Sequence, residues 1–243
     1  MPITPLLALA AMSTQSLKPT LWLSPSGGIY LNGNQMKANI TPGVSTVRFP
    51  AGVAYDFSGE RGGILLGDLD ALKPKGSFTI STWLFLRSYV NDGPGAQVFF
   101  RGDDRNGYDS YSMVVTGDKV LSFCIWNSDS DGMSVRAEMP LGQWVHIVAS
   151  FDAASGRMDL WKNGFQTSFT YTTRIPEMGL EDSASPGIGI GNVQNNQGPH
   201  NQPLNGLLAD VKFYNGVLTP LEIGYEPGTW NETPLARSSA QIK

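Results

Sequence analysis

Along most of the chain, short runs of alternating apolar and polar residues are broken by Gly, Asn, Asp or Pro. Such alternation places every second side chain on one face of a strand and predicts half-buried β-structure. Residues 77–86 (SFTISTWLFL) and 143–152 (QWVHIVASFD) are rich in β-branched and aromatic residues and read as strands, as do residues 20–23 and 121–126. Residues 157–162 lead through Asn163-Gly164 into 166–172, and Asn32-Gly33 marks another turn. Asn-Gly is the strongest short hairpin signal, because both turn positions need positive φ. Residues 207–214 alternate, with Leu207, Ala209, Val211 and Phe213 on one predicted apolar face and Leu208 as the exception on the other. Helix signals are few: a capping box at Thr219-Pro220-Leu221-Glu222, good for a turn or two, and a start signal near 68–72.

Many short strands between turns predict an all-β, antiparallel two-sheet sandwich. The expected organisation has three parts: an N-terminal arm and hairpin (1–50), the sandwich (51–225) and a polar C-terminal tail (226–243). Within the first, Leu6, Leu7, Leu9 and Met12 form a small apolar patch between two early prolines and the first basic residue, Lys18. The run is too short to span a bilayer and lacks the positive flank of a secretory signal. It is expected to be a retained arm that docks on a neighbouring subunit or particle surface.

Composition narrows the function classes. The net charge is −4, and the 17 Lys and Arg are scattered along the chain, so no basic stripe exists to follow a phosphate backbone and nucleic acid is not an expected partner. Charged residues make up only 16%, leaving a largely neutral polar surface suited to contacts. The lone Cys124 cannot form an intrachain disulfide and reads as a small buried residue.

The order of the motifs resembles that of laminin-G-like domains. Ala54-Tyr55-Asp56-Phe57-Ser58-Gly59 with Gly63-Ile64-Leu65-Leu66 is similar to their opening strands, and Ser77 to Trp83 to their long strand ending in Trp. Trp144-Val145-His146-Ile147-Val148-Ala149 resembles their Trp-x-His strand, and Leu160-Trp161-Lys162-Asn163-Gly164 their strand ending in Asn-Gly. Ile188-Gly189-Ile190-Gly191, then Asn205-Gly206 through Asp210-Val211 and Tyr214-Asn215-Gly216-Val217-Leu218, follow the family's closing pattern. The resemblance implies a concanavalin A-type jelly roll, mostly used as a binding module for glycans or proteins, sometimes with Ca²⁺. The superfamily also includes glucanases.

Glucanase chemistry needs paired carboxylates on one strand face, spaced Glu-x-Asp-x-x-Glu. No such spacing occurs, and Leu180-Glu181-Asp182 lies in a Ser/Pro/Gly loop. The chain is therefore expected not to be an enzyme. The family resemblance gives His146 a structural role, and His200 reads as a loop residue. Asn127, Asp129, Asp131 and Glu138, with Gly132, fit the calcium-loop pattern by letter. Strands rather than helices flank it, so the segment also reads as a turn that carries Glu138 away from the other three. No cofactor is expected, with Ca²⁺ at that loop as the alternative. Arg101-Gly102-Asp103 is the tripeptide that integrins read, and equally an ordinary charged loop. Trp126, Trp161, Tyr108 and Tyr111 are the aromatic residues expected to stack on sugars if the chain binds glycans.

Two function classes follow. The first is a structural or interaction protein of a large assembly, such as a decoration or fibre component of a phage-like virion, with protein partners and homo-oligomers expected. The second is a lectin-like carbohydrate-binding module in adhesion. Either would place the protein in a virion or an extracellular assembly.

Overall fold

The computed structural model describes residues 16–73, 76–90, 95–102, 109–128, 131–176, 179, 187–193, 201–225 and 228–230. In chain order the strands are β1 (Leu21–Leu23), β2 (Ile29–Leu31), β3 (Asn34–Gln35), β4 (Asn39–Ile40), β5 (Val44–Phe49), β6 (Gly52–Ser58) and β7 (Ile64–Gly67). A turn of 3-10 helix at Asp70–Leu72 follows. Next come β8 (Phe78–Leu86), β9 (Ala96–Gly102), β10 (Tyr111–Val115), β11 (Val120–Ser128), β12 (Asp131–Glu138) and β13 (Trp144–Asp152). The last are β14 (Arg157–Lys162), β15 (Phe165–Tyr171), β16 (Gly187–Ile190) and β17 (Asn205–Tyr214).

All described pairings are antiparallel and build two packed sheets. The larger runs β15-β14-β13-β8-β17-β1-β2-β3, with β6 also on β17 and β5 on β6; the smaller runs β12-β11-β10-β9-β16-β7-β4. This is the two-sheet sandwich that the alternation predicts. The Asn-Gly pairs at 32–33 and 163–164 form hairpin turns, with φ of 49° and 78° at the first and 51° and 78° at the second. The capping box closes a single turn, in which the Glu222 carboxylate accepts from the Thr219 amide at 2.9 Å.

Between the sheets lies an apolar core centred on Phe78. Its ring packs against Tyr111 (4.9 Å between centroids), Phe213 (5.5 Å, stacked), Phe123 (5.9 Å) and Phe151 (6.0 Å). The larger sheet also carries apolar clusters on its outer face. Phe49, Trp83, Trp144 and Trp230 form one; Val148, Tyr214, Leu218 and Ile223 form another, with Leu17 and Trp161 against it. β5, Tyr225 and Trp230 cover the first cluster, so much of this sheet is buried on both sides.

Two expectations change here. β1 to β5 belong to both sheets, so residues 21–49 are part of the sandwich rather than an arm before it. Leu17 packs on its own chain, and its amide donates to Glu222 at 3.1 Å. Leu6, Leu7, Leu9 and Met12 lie outside the described residues. At the other end the tail starts with an anchor, since Trp230 is only 2% exposed.

The single apolar face expected for 207–214 is in fact two. Asp210 adopts φ 51° and makes a bulge, at which the register with β8 jumps from Ala209↔Trp83 to Lys212↔Ser81. The extra residue resets the alternation. Leu208, Val211 and Phe213 therefore face the core, while Leu207 and Ala209 join the outer cluster. The same residue divides β17 between two neighbours: 205–209 pair with β6 and 211–213 with β1.

Candidate functional site: a groove on the seven-stranded sheet

The open face of the smaller sheet carries a groove of about 300 Å³ along β9 to β12. Strand alternation makes it. Tyr111, Met113, Leu121, Phe123, Ile125 and Val135 point into the core, which leaves Ser112, Val114, Ser122, Cys124, Ser134 and Arg136 outward. These outward side chains are mostly small, so the face is hollow rather than filled. Register aligns them in rows: Phe100–Ser112–Cys124–Ser134 across four strands, and Gln97–Val114–Ser122–Arg136 beside it. A bulge at Val98 allows both Gln97 and Phe100 to face outward while Phe99 enters the core.

Trp126 stands at one end. Its indole lies flat over Gly132, directly opposite on β12, where a Cβ would come within 2.4 Å of Trp126 Cε3. Only glycine permits that contact. One face of the ring is thereby fixed against backbone, and the half-exposed ring lines the groove. Asp109 lines the same end, where the Trp126 amide donates to the Ser110 carbonyl at 3.0 Å. At the other end Arg136 donates from Nε to Ser122 Oγ at 3.1 Å, which holds its guanidinium over the sheet. Trp126 lies four positions along β11 from Ser122, a span of about 13 Å. The Cys124 thiol on the floor is pushed up to about 11 by burial and remains a neutral thiol near pH 7.

The three aromatic candidates among the described residues are not brought together. Trp126 is in the groove. Trp161 is on the larger sheet, packed against the outer cluster around Leu218 and Ile223. Tyr111 is a core residue with no exposure, its hydroxyl donating to the Leu72 carbonyl at 2.7 Å, so it offers no face to a sugar. Tyr108 lies outside the described residues. Their scatter has a simple cause: Tyr111 and Trp126 differ in strand phase, and Trp161 is on the other sheet.

The calcium-loop letters are likewise drawn apart. Asp131 pairs with Ser128 at the hairpin end and forms an ion pair with Arg174. Glu138 pairs with Val120, seven residues and about 23 Å along the strand. Asn127 stays at the turn end, Asp129 is outside the described residues, and Glu138 cannot close a coordination sphere with them. Arg101 of the Arg-Gly-Asp tripeptide is fully buried and ion-paired with Asp68 at 2.9 Å, out of reach of a receptor; Asp103 is outside the described residues. His146 is buried at 5% exposure. Its Nε2 meets Ser81 Oγ at 3.2 Å, but Nδ1 has no described partner. The oxygens of Asp210 are taken by Trp22 Nε1 at 2.6 Å and Lys212 at 2.7 Å. Among the described residues no acid orients the Ser81–His146 pair, which lies beneath a roof of aromatic side chains.

Comparison with known proteins supports the fold. A family model described as the concanavalin A-like lectin/glucanases superfamily, of laminin G type, matches residues 58–224. The chain belongs to that superfamily. A search of curated protein sequences found no match. Among solved structures, the binding domain of botulinum neurotoxin DC in complex with SialylT superposes with a TM-score of 0.63 at 14% identity, covering 84% of this chain and 50% of that one. The same toxin's binding domain with rat synaptotagmin II gives 0.62 at 16%, covering 84% and 50%. Domain 4 of AbnA, an extracellular GH43 arabinanase from Geobacillus stearothermophilus, in complex with arabinotriose, gives 0.61 at 21%, covering 86% and 98%. The chain thus spans about half the length of the neurotoxin binding domains. At these identities the likeness is one of fold.

Of the residues that line the groove, the sequence pattern singles out Trp126 but not Gln97, Ser112, Ser122, Ser134 or Arg136. The signal was present as a second period-two pattern of small polar residues, Ser122-x-Cys124-x-Trp126 beside Ser134-x-Arg136. Only the strand register shows that the two segments share one face.

Proposed function

We propose that the chain is a carbohydrate-binding module of lectin type, taking a short glycan segment along the groove between Trp126 and Arg136. The observation that carries this reading is the Trp126 ring braced on Gly132 at the end of a hollow lined with small polar side chains. An aromatic face suits the apolar face of a sugar ring, and Ser134, Asp109 and Arg136 supply donors and acceptors for hydroxyl groups. The arabinotriose bound by the arabinanase domain, which this chain matches over 98% of that domain's length, supports the same reading. The module is proposed to be non-catalytic. Asp109 is the one carboxylate among the described residues lining the groove, whereas glycoside hydrolysis uses two flanking one bond. A decoration or fibre component with this groove would exercise the same chemistry on a particle surface, so the two function classes are compatible.

A glycan array probed with the full chain, followed by calorimetric titration of the best oligosaccharide, tests the proposal. Trp126→Ala should weaken binding at least about tenfold, or roughly 1.4 kcal/mol, and Ser134→Phe, which fills the hollow, should abolish it. Chelator should leave binding unchanged, because Asp131 and Glu138 lie at opposite ends of their strand. No binding to any array glycan, or equal binding by both variants, would refute the groove as a sugar site.

A further inference from the structure

β15 is the outermost described strand of the larger sheet, and no described strand pairs with its outer edge. Such edges invite another strand, and proteins guard them with charge, proline, bulges or shortness. The other outer strands are guarded: β3 and β4 have two residues each, β5 carries Arg48, and β12 carries Asp131, Arg136 and Glu138. β15 has seven residues, Phe-Gln-Thr-Ser-Phe-Thr-Tyr, with no charge, proline or glycine; a bulge at Thr167 interrupts it near its start and leaves Ser168–Tyr171 as the regular edge. Phe165, Phe169 and Tyr171 are 75%, 55% and 55% exposed, and Ile175 follows at 67%.

The charge nearest the strand is matched within the chain. Arg157 on β14 is bound to Asp159 through Nε at 2.8 Å and Nη2 at 2.9 Å, and lies 4.7 Å from the Phe169 centroid and 5.8 Å from that of Tyr171. Lys162 donates to the Glu138 carbonyl. A second copy therefore meets a neutral strand flanked by an already neutralised pair, with no like charges opposed. The Thr172 amide bonds the Gly156 carbonyl, so antiparallel alternation turns the backbone of Thr170 towards β14 and that of Phe169 and Tyr171 outward.

We propose that two copies of this chain associate through β15, paired antiparallel about a two-fold axis at Phe169, with Phe169 against Phe169 and Thr170 against Ser168. The pairing uses the same patch on both copies and closes on itself, giving a dimer and not a fibre. At the stated exposures the three aromatic residues offer on the order of 350 Å² per copy. With the backbone edge and Ile175 the total buried approaches about 1,000 Å², the lower bound of specific interfaces. The dimer is accordingly a reversible one of micromolar strength. The groove lies on the other sheet and stays open, so the dimer presents two grooves and gains avidity on a surface bearing many copies of its ligand.

Sedimentation equilibrium of the full chain across the micromolar range provides the test. The expected result is a monomer–dimer equilibrium. Phe169→Lys should be monomeric with unchanged circular dichroism and melting, while Leu221→Lys, at a 91% exposed apolar residue elsewhere, should still dimerise. Should Phe169→Lys fail to fold, Thr167→Lys puts a charge on the same edge. Trp126→Ala should dimerise normally, which separates this proposal from the one about the groove. A wild-type chain monomeric throughout, a Lys variant that still dimerises, or open-ended association would each overturn it.

Discussion

Replacing Phe78 by alanine is expected to destabilise the sandwich by about 3–5 kcal/mol, the range for large-to-small changes of buried aromatic residues. Phe78 should fall at the upper end. It is fully buried on the long central strand β8 and touches four other aromatic rings drawn from both sheets. Those neighbours are held by the sheets that carry them: Phe213 on β17, Phe123 and Tyr111 on the opposite sheet, Phe151 on β13. They cannot collapse into the space, so the loss includes the cavity as well as the transfer of the ring. Domain stability is typically 5–15 kcal/mol, so the change removes a large share of it. Guanidinium unfolding should show a lower midpoint with little change in slope, and Phe78→Leu should cost clearly less. A Phe78→Ala variant within about 1 kcal/mol of wild type would mean that the core is not organised around this ring.

Stability should also fall by about 3 kcal/mol between pH 6.5 and pH 4 through His146 alone. Burial, and then the positive charge of Lys212, hold the imidazole down at about 4, against an opposing pull from Asp210. Its surroundings explain the burial: the ring lies 5.0 Å from Trp83 and 6.1 Å from Tyr225, which stacks on it, and Ser81 takes its Nε2. In the unfolded chain the same histidine takes up its proton near 6.5. Between the two values the unfolded state binds more protons, so lowering the pH favours unfolding. The contribution is complete above pH 6.5 and gone below about 4. Midpoints measured at pH 7.5, 5.5 and 4.0 should fall steadily, and His146→Phe should flatten that window although it loses the Ser81 contact at every pH. Asp152 and Glu222, whose carboxyls are held below the usual range mainly by hydrogen bonds from Ser155 and Thr219, add a further loss at more acid pH. A slope in the His146→Phe variant equal to that of wild type would assign the pH dependence to those acids instead.

Much of this protein was legible locally. Alternation, β-branched content and Asn-Gly pairs are properties of a few adjacent residues, and they located β8, β13, the β14–β15 hairpin and the turn after β2 to within a residue or two. Motif order carried the family. The capping box at Thr219 was read correctly for the same reason, because Thr219 and Glu222 are one turn apart. The parts that failed depend on who lies beside whom. Alternation along 207–214 says that two faces exist, but the bulge at Asp210, where β17 passes from β6 to β1, decides which side chains share one. Likewise Trp126, Trp161 and Tyr111 are equally aromatic in sequence, and one lines a groove, one packs under the C-terminal turn and one fills the core.

The class of fold, most strand positions and the lack of a glucanase-type carboxylate spacing can all be read from the chain alone, since each is encoded in neighbours along it. It takes the folded sheets to bring Ser112, Ser122, Ser134 and Arg136 to Trp126 on one hollow face, to carry Glu138 away from Asp131, and to make β15 an uncharged outer strand among those described. Register and sheet order bring together residues distant in sequence, through hydrogen bonds between strands and burial between sheets, and neither is written in the pattern of any single strand.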